Sequence, residues 1–227
     1  EGLRIRAGEL RYWEADQRVE LKPWSSVERE GQGIRAASST VYLEQGKLKR
    51  IEAQQGQGWN RGAGREVRFG GEQLEVDFTE QKTVARAAAI GQAELTSQSA
   101  SGVTRVTGKR IDLEFVTPPG AAESQLSTAG VSEQARVESV PAAQQGRPPQ
   151  ETRVLTAEFV KLTMMPGGEE VQNIETASAG RLELLPQQPG QWKRALTAER
   201  IVAQYAPGSR LEMLRAFGKI HLRSDPP

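Results

Sequence analysis

From Gly71 to Phe78 the chain reads Gly-Glu-Gln-Leu-Glu-Val-Asp-Phe: a small residue, two polar ones, then apolar side chains at every second position. Successive side chains on an extended chain point to opposite sides, so strict alternation is the signature of a strand with one buried face. Leu74, Val76 and Phe78 therefore share one face, and Glu75 and Asp77 the other. The pattern returns in Gly108-Lys-Arg-Ile-Asp-Leu-Glu-Phe115, Ala157-Glu-Phe-Val-Lys-Leu-Thr-Met164 and Ala198-Glu-Arg-Ile-Val-Ala-Gln-Tyr205, with weaker copies starting at Ala7 and Ala37. These six starts lie 30, 34, 37, 49 and 41 residues apart. A strand signature that persists while its loops vary in length predicts a stack of β units.

After a turn, each unit carries a second alternating stretch. Leu214-Arg-Ala216-Phe-Gly218-Lys-Ile220-His-Leu222 and Ala87-Ala-Ala89-Ile-Gly91-Gln-Ala93-Glu-Leu95 are the clearest, with parallels at 174–184 and 129–137. Gly91 and Gly218 occupy the same place in their units, where a residue without Cβ permits a bulge or bend as a strand passes from one sheet to another. A unit is thus two long strands or four shorter ones. Gly62-Ala-Gly64, Pro118-Pro-Gly120, Pro166-Gly-Gly168, Pro186-Gln-Gln-Pro189 and Pro207-Gly208 break the pattern where turns are needed. Antiparallel hairpins are the short connection between such stretches. The Pro-rich run from Pro141 to Thr152 reads as a long loop inside the array, because alternation resumes at Val154-Leu155. The expectation is one all-β domain over residues 1–227.

Composition narrows the chemistry. With no cysteine and one histidine, His221, in 227 residues, thiolate chemistry is excluded, and a Ser-His-Asp triad or multi-histidine metal site would rest on that single side chain. Thirty Lys+Arg against 29 Asp+Glu, interspersed, offer no basic field for nucleic acid. No apolar run approaches the ~18 residues of a membrane-spanning helix. The chain opens at Glu1 and not at a methionine, which fits a precursor whose signal peptide or anchor is missing here. The alternating face is built of Leu, Val, Ile and Ala, and packs thinly. Two readings of it stand together: sheets closed on each other around an ordinary core, or sheets splayed around an apolar groove for a hydrocarbon ligand. At ~0.8 kcal/mol per methylene, an acyl chain of about 12 carbons would gain on the order of 10 kcal/mol in such a groove before ordering costs. Neither reading needs a catalytic group or a cofactor.

The recurring small residue, two polar positions and Ile/Leu-x-Leu/Val-x-Phe/Tyr, followed after a loop by Gly-x-Ile/Ala-x-Leu, resembles the OstA-like repeat of lipopolysaccharide-transport proteins. That family includes LptA, LptC and the periplasmic domain of LptD. The 198–205 and 216–222 segments are the best copy, and the resemblance runs strongly over about 67–222 and weakly over 1–60. It implies a twisted, open-seamed β-jellyroll, a solenoid-like stack of antiparallel strands built from about six OstA-like repeats. It further implies a periplasmic location in a Gram-negative bacterium, an interior that shields lipid A acyl chains of lipopolysaccharide, and modules that join edge to edge. The expanded fourth unit, with its 141–152 loop, and the first unit, interrupted by Pro23-Trp24, depart from the family pattern.

The lipid-binding candidates are the inward positions: Leu74, Val76, Phe78, Ile111, Leu113, Phe115, Val160, Leu162, Met164, Ile201, Ala203 and Tyr205, with Ala89, Ala93, Leu182, Leu184, Ile220 and Leu222 from the second stretches. Each is equally suited to be plain core. Trp13, Trp24, Trp59 and Trp192 fall near turns or strand ends, where an indole seals an edge or meets a ligand. His221 alternates outward and reads as a surface residue. Glu75 with Asp77, and Asp112 with Glu114, form outward carboxylate pairs of the kind a glycosidase uses and an amphipathic strand also carries. Lys47, Lys49, Arg50, Lys193 and Arg194 either meet head-group phosphates or keep an edge soluble. Unpaired strands at both ends invite pairing with another OstA-like module or a second copy. Three classes remain: a lipopolysaccharide-transport module, a structural β-solenoid assembling end to end without lipid, and a carbohydrate-processing enzyme on a β-helix.

Overall fold

The structure, a computed structural model, describes the chain except residues 1, 3, 63, 122, 144–149, 189 and 227. Residues 144–149, half of the Pro-rich loop, therefore lie outside the described residues, as do Ala63 and Pro189 of two expected turns. Among the described residues there are sixteen strands and no helix. The first eight are β1 (Arg4–Trp13), β2 (Arg18–Arg29), β3 (Gln32–Ala36), β4 (Ser38–Glu44), β5 (Lys47–Gly62), β6 (Arg65–Phe78), β7 (Val84–Ser99) and β8 (Gly102–Val116). The rest are β9 (Gln125–Pro141), β10 (Thr152–Met164), β11 (Val171–Thr176), β12 (Gly180–Leu185), β13 (Lys193–Ala198), β14 (Arg200–Ala206), β15 (Arg210–Phe217) and β16 (His221–Asp225). All belong to one large antiparallel sheet, ordered β1-β2-β3-β5-β6-β7-β8-β9-β10-β11-β14-β15, with β4 between β2 and β5, and β12, β13 and β16 continuing from β10.

Counting β3 with β4, β11 with β12, β13 with β14 and β15 with β16 as single bent strands leaves twelve long strands, running up and down in chain order. Each bends near its middle, and the bends line up across the sheet. In every outgoing strand the bend falls at the small residue that opens the sequence unit. Pairing slips between Ala7 and Glu9, breaks at Ala37, slips around Gly71, Gly108 and Ala157, and breaks again just after Ala198. The reason is steric: a Cβ on Gly71 would stand 2.9 Å from the Ile90 carbonyl oxygen, and one on Gly108 2.8 Å from Val131 Cγ1. Returning strands bend at Pro23-Trp24, Gln55, Gly91-Gln92, Glu133-Gln134, 177–179 and Gly218. Gly91 (φ 71°) and Gly218 (φ 64°) take the left-handed conformation that glycine adopts without penalty. Pro23-Trp24, which interrupts the first unit as sequence, is the bend of β2.

The row of bends divides the sheet into two leaves. One inward rung of the first leaf passes through all twelve strands as Ile5, Val27, Ile34, Gly58, Phe69, Leu95, Val106, Val137, Leu155, Leu182, Leu196 and Leu222. The second leaf carries Leu10, Leu21, Ser39, Ala53, Leu74, Ala89, Ile111, Val131, Val160 and Thr176 in one rung. A parallel rung there includes Val41, Ile51, Val76, Ala87, Leu113, Ala129, Leu162, Ile174 and Ala203. With no helix to cover them, the two apolar faces are buried by each other, and residues of both leaves form one core cluster. The turns on the far side from the bends form the two lips of a seam.

Candidate functional site

Of the eighteen nominated positions, sixteen face the interior. Leu74, Val76, Ala89, Ala93, Ile111, Leu113, Val160, Leu162, Leu182, Ile201 and Ala203 are buried. Phe78, Phe115, Met164, Leu184 and Tyr205 are half-buried, toward the seam. Ile220 and Leu222 depart from the expectation of an inward, covered position. Ile220 lies in the bend between β15 and β16 and is 55% exposed, and Leu222 is 75% exposed. Leu222 occupies the inward rung, but among the described strands β16 pairs only with β13, so its other edge is unpaired and the side chain is uncovered.

The middle of the array is packed. Leu74 and Val160 are 0% exposed, so the leaves meet there directly and no open trough runs between them. The two ends differ: Ile5, Leu10 and Tyr12 on β1, and Leu214 and Leu222 on β15 and β16, stand exposed on the same inward rungs that are buried elsewhere. The apolar interior therefore surfaces at both edge strands.

The two lips of the seam are chemically unlike. On the second leaf five of the six hairpins carry an apolar pair beside the turn: Leu43 opposite Leu48, Phe78 opposite Val84, Phe115 opposite Leu126, Met164 opposite Val171 and Tyr205 opposite Leu211, while β1–β2 closes with Trp13 opposite Arg18. On the first leaf an inward rung close to the seam is Val67, Ser97, Thr104, Ser139, Arg153 and Leu184. Arg65, two residues before Val67 on β6, shares that inward phase. Its Nε donates to Ser97 Oγ at 3.0 Å, and its Nη1 crosses the seam to the Gly168 carbonyl oxygen at 2.9 Å. Burial pushes the Arg65 pKa down, opposed by Glu169. Burial likewise pushes the Tyr205 phenol up, while the positive charge of the nearby Arg153 pulls the other way. Sequence reading passed over both arginines, although a charge in the apolar phase of Arg65-Glu-Val67-Arg-Phe69 and Arg153-Val-Leu155 was a visible signal.

Four of the five cations singled out from sequence, all but Lys47, lie in ion pairs on the outside. Arg50 spans Glu52 at 2.8 Å, Glu75 at 2.8 Å and Asp77 at 3.3 Å, so one of the outward carboxylate pairs is a set of ion-pair partners. Asp112 is held by Arg110 at 2.7 Å, and Glu114 accepts from Thr128 Oγ1. Lys49 meets Glu44, Lys193 meets Glu183 and Arg194 meets Glu151. Trp13 and Trp59 are stacked under Arg18 and Arg35, with ring distances of 4.7 and 4.9 Å, whereas Trp24 and Trp192 are exposed. His221 is exposed at one end of a groove of about 970 Å³ on the outer surface of the first leaf, floored by Thr107, Arg136, Thr156, Arg181 and Thr197. Among the described residues no cluster of three or more His, Asp or Glu side chains could hold a metal.

Compared with protein-family models, curated proteins and solved structures, the chain matches none. The likeness to OstA-like repeats rests on the repeated residues themselves.

Proposed function

We propose that the chain is a β-jellyroll of six OstA-like repeats that shields the acyl chains of lipopolysaccharide during transport through the periplasm. The observation that carries this reading is the inward apolar rung that runs through every long strand and is left uncovered at both edges. A closed monomeric core would cap those ends with polar residues. Here β1 and the β15–β16 pair offer unpaired backbone together with exposed Leu10 and Leu222, the chemistry that suits another such module or a second copy docking edge to edge. A chain of ~12 carbons between the leaves, at ~0.8 kcal/mol per methylene, has enough to gain to part them along the seam. Catalysis plays no part in this reading, and direction comes from elsewhere.

A lipid-free structural array is the second reading, and the packed middle favours it. One experiment separates the two. A photo-crosslinking residue at Phe115, on the apolar lip, is irradiated with purified lipopolysaccharide, alongside the same residue at the outward Glu114. Adducts at Phe115 alone support shielding; none at Phe115 in a folded protein leaves the structural array.

A further inference from the structure

We propose that the polar lip of the seam is a phosphate-anchoring site, with Arg65 and Arg153 as the two cations that hold the anionic head of an amphiphile whose chains lie between the leaves. The inference rests on the shielding reading and names the ligand groups that reading leaves open.

Three observations converge on it. Both arginines sit in the inward phase of their strands, at the border between apolar rungs and solvent. The hydrogen bonds of Arg65 go to neutral acceptors, Ser97 and the Gly168 carbonyl, with the Glu169 charge acting from farther off, and Arg153 lies near the neutral Tyr205 phenol. Neither forms an ion pair among the described residues, whereas Arg50, Arg110, Arg136, Arg181, Arg194 and Arg200 each have a carboxylate at 2.5 to 3.1 Å. Removing a guanidinium from water without a directly paired carboxylate is costly, so a half-buried arginine whose hydrogen bonds go to neutral acceptors suits an incoming anion. Its planar fork matches a phosphate bidentately.

The rung between the two cations adds a second feature. Ser97, Thr104 and Ser139 lie side by side in register up to Arg153, and Arg65 already touches the first of them. From β7 to β10 is three strand spacings, on the order of 14 Å. The lip is thus a row of hydroxyls with a guanidinium at each end, facing an apolar lip of Phe78, Phe115 and Tyr205. Phosphate oxygens would bond to the row while the hydrocarbon passes beneath the opposite lip.

The test uses the Phe115 crosslinker with purified diphosphoryl lipid A, monophosphoryl lipid A and the fully dephosphorylated form. Labelling is expected to fall at least about tenfold from the first to the last, since each charge-assisted bond lost is a large term. In R65Q/R153Q, shown to be folded by circular dichroism, all three forms should label at the dephosphorylated level. R65K/R153K, which keeps the charge, should retain the order. Equal labelling of the three forms by the parent chain, or an unchanged order in R65Q/R153Q, would overturn the anchoring site while leaving lipid shielding in place. No labelling of any form would overturn shielding, and the anchoring site with it.

Discussion

Replacing Leu74 with alanine measures whether the interior is closed in the middle of the array. Leu74 is 0% exposed, and its neighbours along the rung are Ala53 and Ala89. Its Cγ and Cδ1 fill the space over Gly56, standing 2.8 Å from where a Cβ on that glycine would be. Three carbons are lost, worth ~2.4 kcal/mol of transfer at ~0.8 kcal/mol each. The surrounding alanines and glycine are too short to collapse into the gap, so a cavity term adds to this and the total comes to roughly 3–4 kcal/mol. For a chain of this length that corresponds to a fall in melting temperature of about 6–16 °C. Leu222→Ala supplies the control, deleting the same atoms from an inward rung at the uncovered end, with an expected loss under ~0.5 kcal/mol. Urea unfolding followed by far-UV circular dichroism reads both as shifts in midpoint. A Leu74→Ala loss below ~1 kcal/mol would mean that the leaves are splayed there and the packed core is wrong. A Leu222→Ala loss as large as that at Leu74 would mean that the end rung is covered.

Gly91→Ala should destabilise by at least about 1 kcal/mol, through its positive φ and because the added Cβ would stand 2.9 Å from Glu72 Cβ, which is fixed to its backbone; no change in the urea midpoint would show that the bend of β7 does not need its left-handed residue. The Glu183 carboxyl is held below its usual range, chiefly by a hydrogen bond from Lys193 and also by Arg181, with burial opposing. A carboxylate whose folded pKa is depressed contributes stability above its unfolded pKa and loses it as pH falls through the folded value. Melting curves between neutral and acid pH should therefore converge for Glu183→Gln and the parent chain as the pH drops, and parallel curves would remove Glu183 from the acid response.

The strands were legible because alternation fixes phase, and phase places Leu222 on the inward rung as it does the sixteen covered positions, although Leu222 is left exposed. The small residue that opens each unit was legible as a pattern, but its cause was not. Gly71 and Gly108 are small because a neighbouring strand passes against them at the bend, a fact of pairing and not of local sequence. For the same reason the sequence units do not coincide with the leaves: the six residues before Gly71 belong to one leaf and those after it to the other. Ile220 and Leu222 carry the same alternation as Ala93 and Leu95. What separates them is that β7 is paired on both sides and β16 on one, and alternation contains no information about neighbours.

A closed core and a lipid shield ask for the same apolar phase, so the residues that break that phase carry the distinction between them. Two kinds of break occur. Near the bends Ser39 and Thr176 interrupt the second leaf, and both are satisfied within the protein: Ser39 Oγ lies 2.6 Å from Ser25 Oγ, and Thr176 Oγ1 accepts the Ile201 N–H at 2.9 Å. They replace ladder or core interactions and need no ligand. At the seam Arg65 and Arg153 interrupt the first leaf with full charges that no carboxylate pairs directly, Glu169 acting on Arg65 only through space. A purely structural array gains nothing from that placement, since leucine at either position would extend the rung without desolvating a cation. An array that receives an anionic amphiphile through its seam needs a charge at the lip and apolar side chains everywhere beneath it, and that is the distribution of Arg65, Arg153 and the rungs they border.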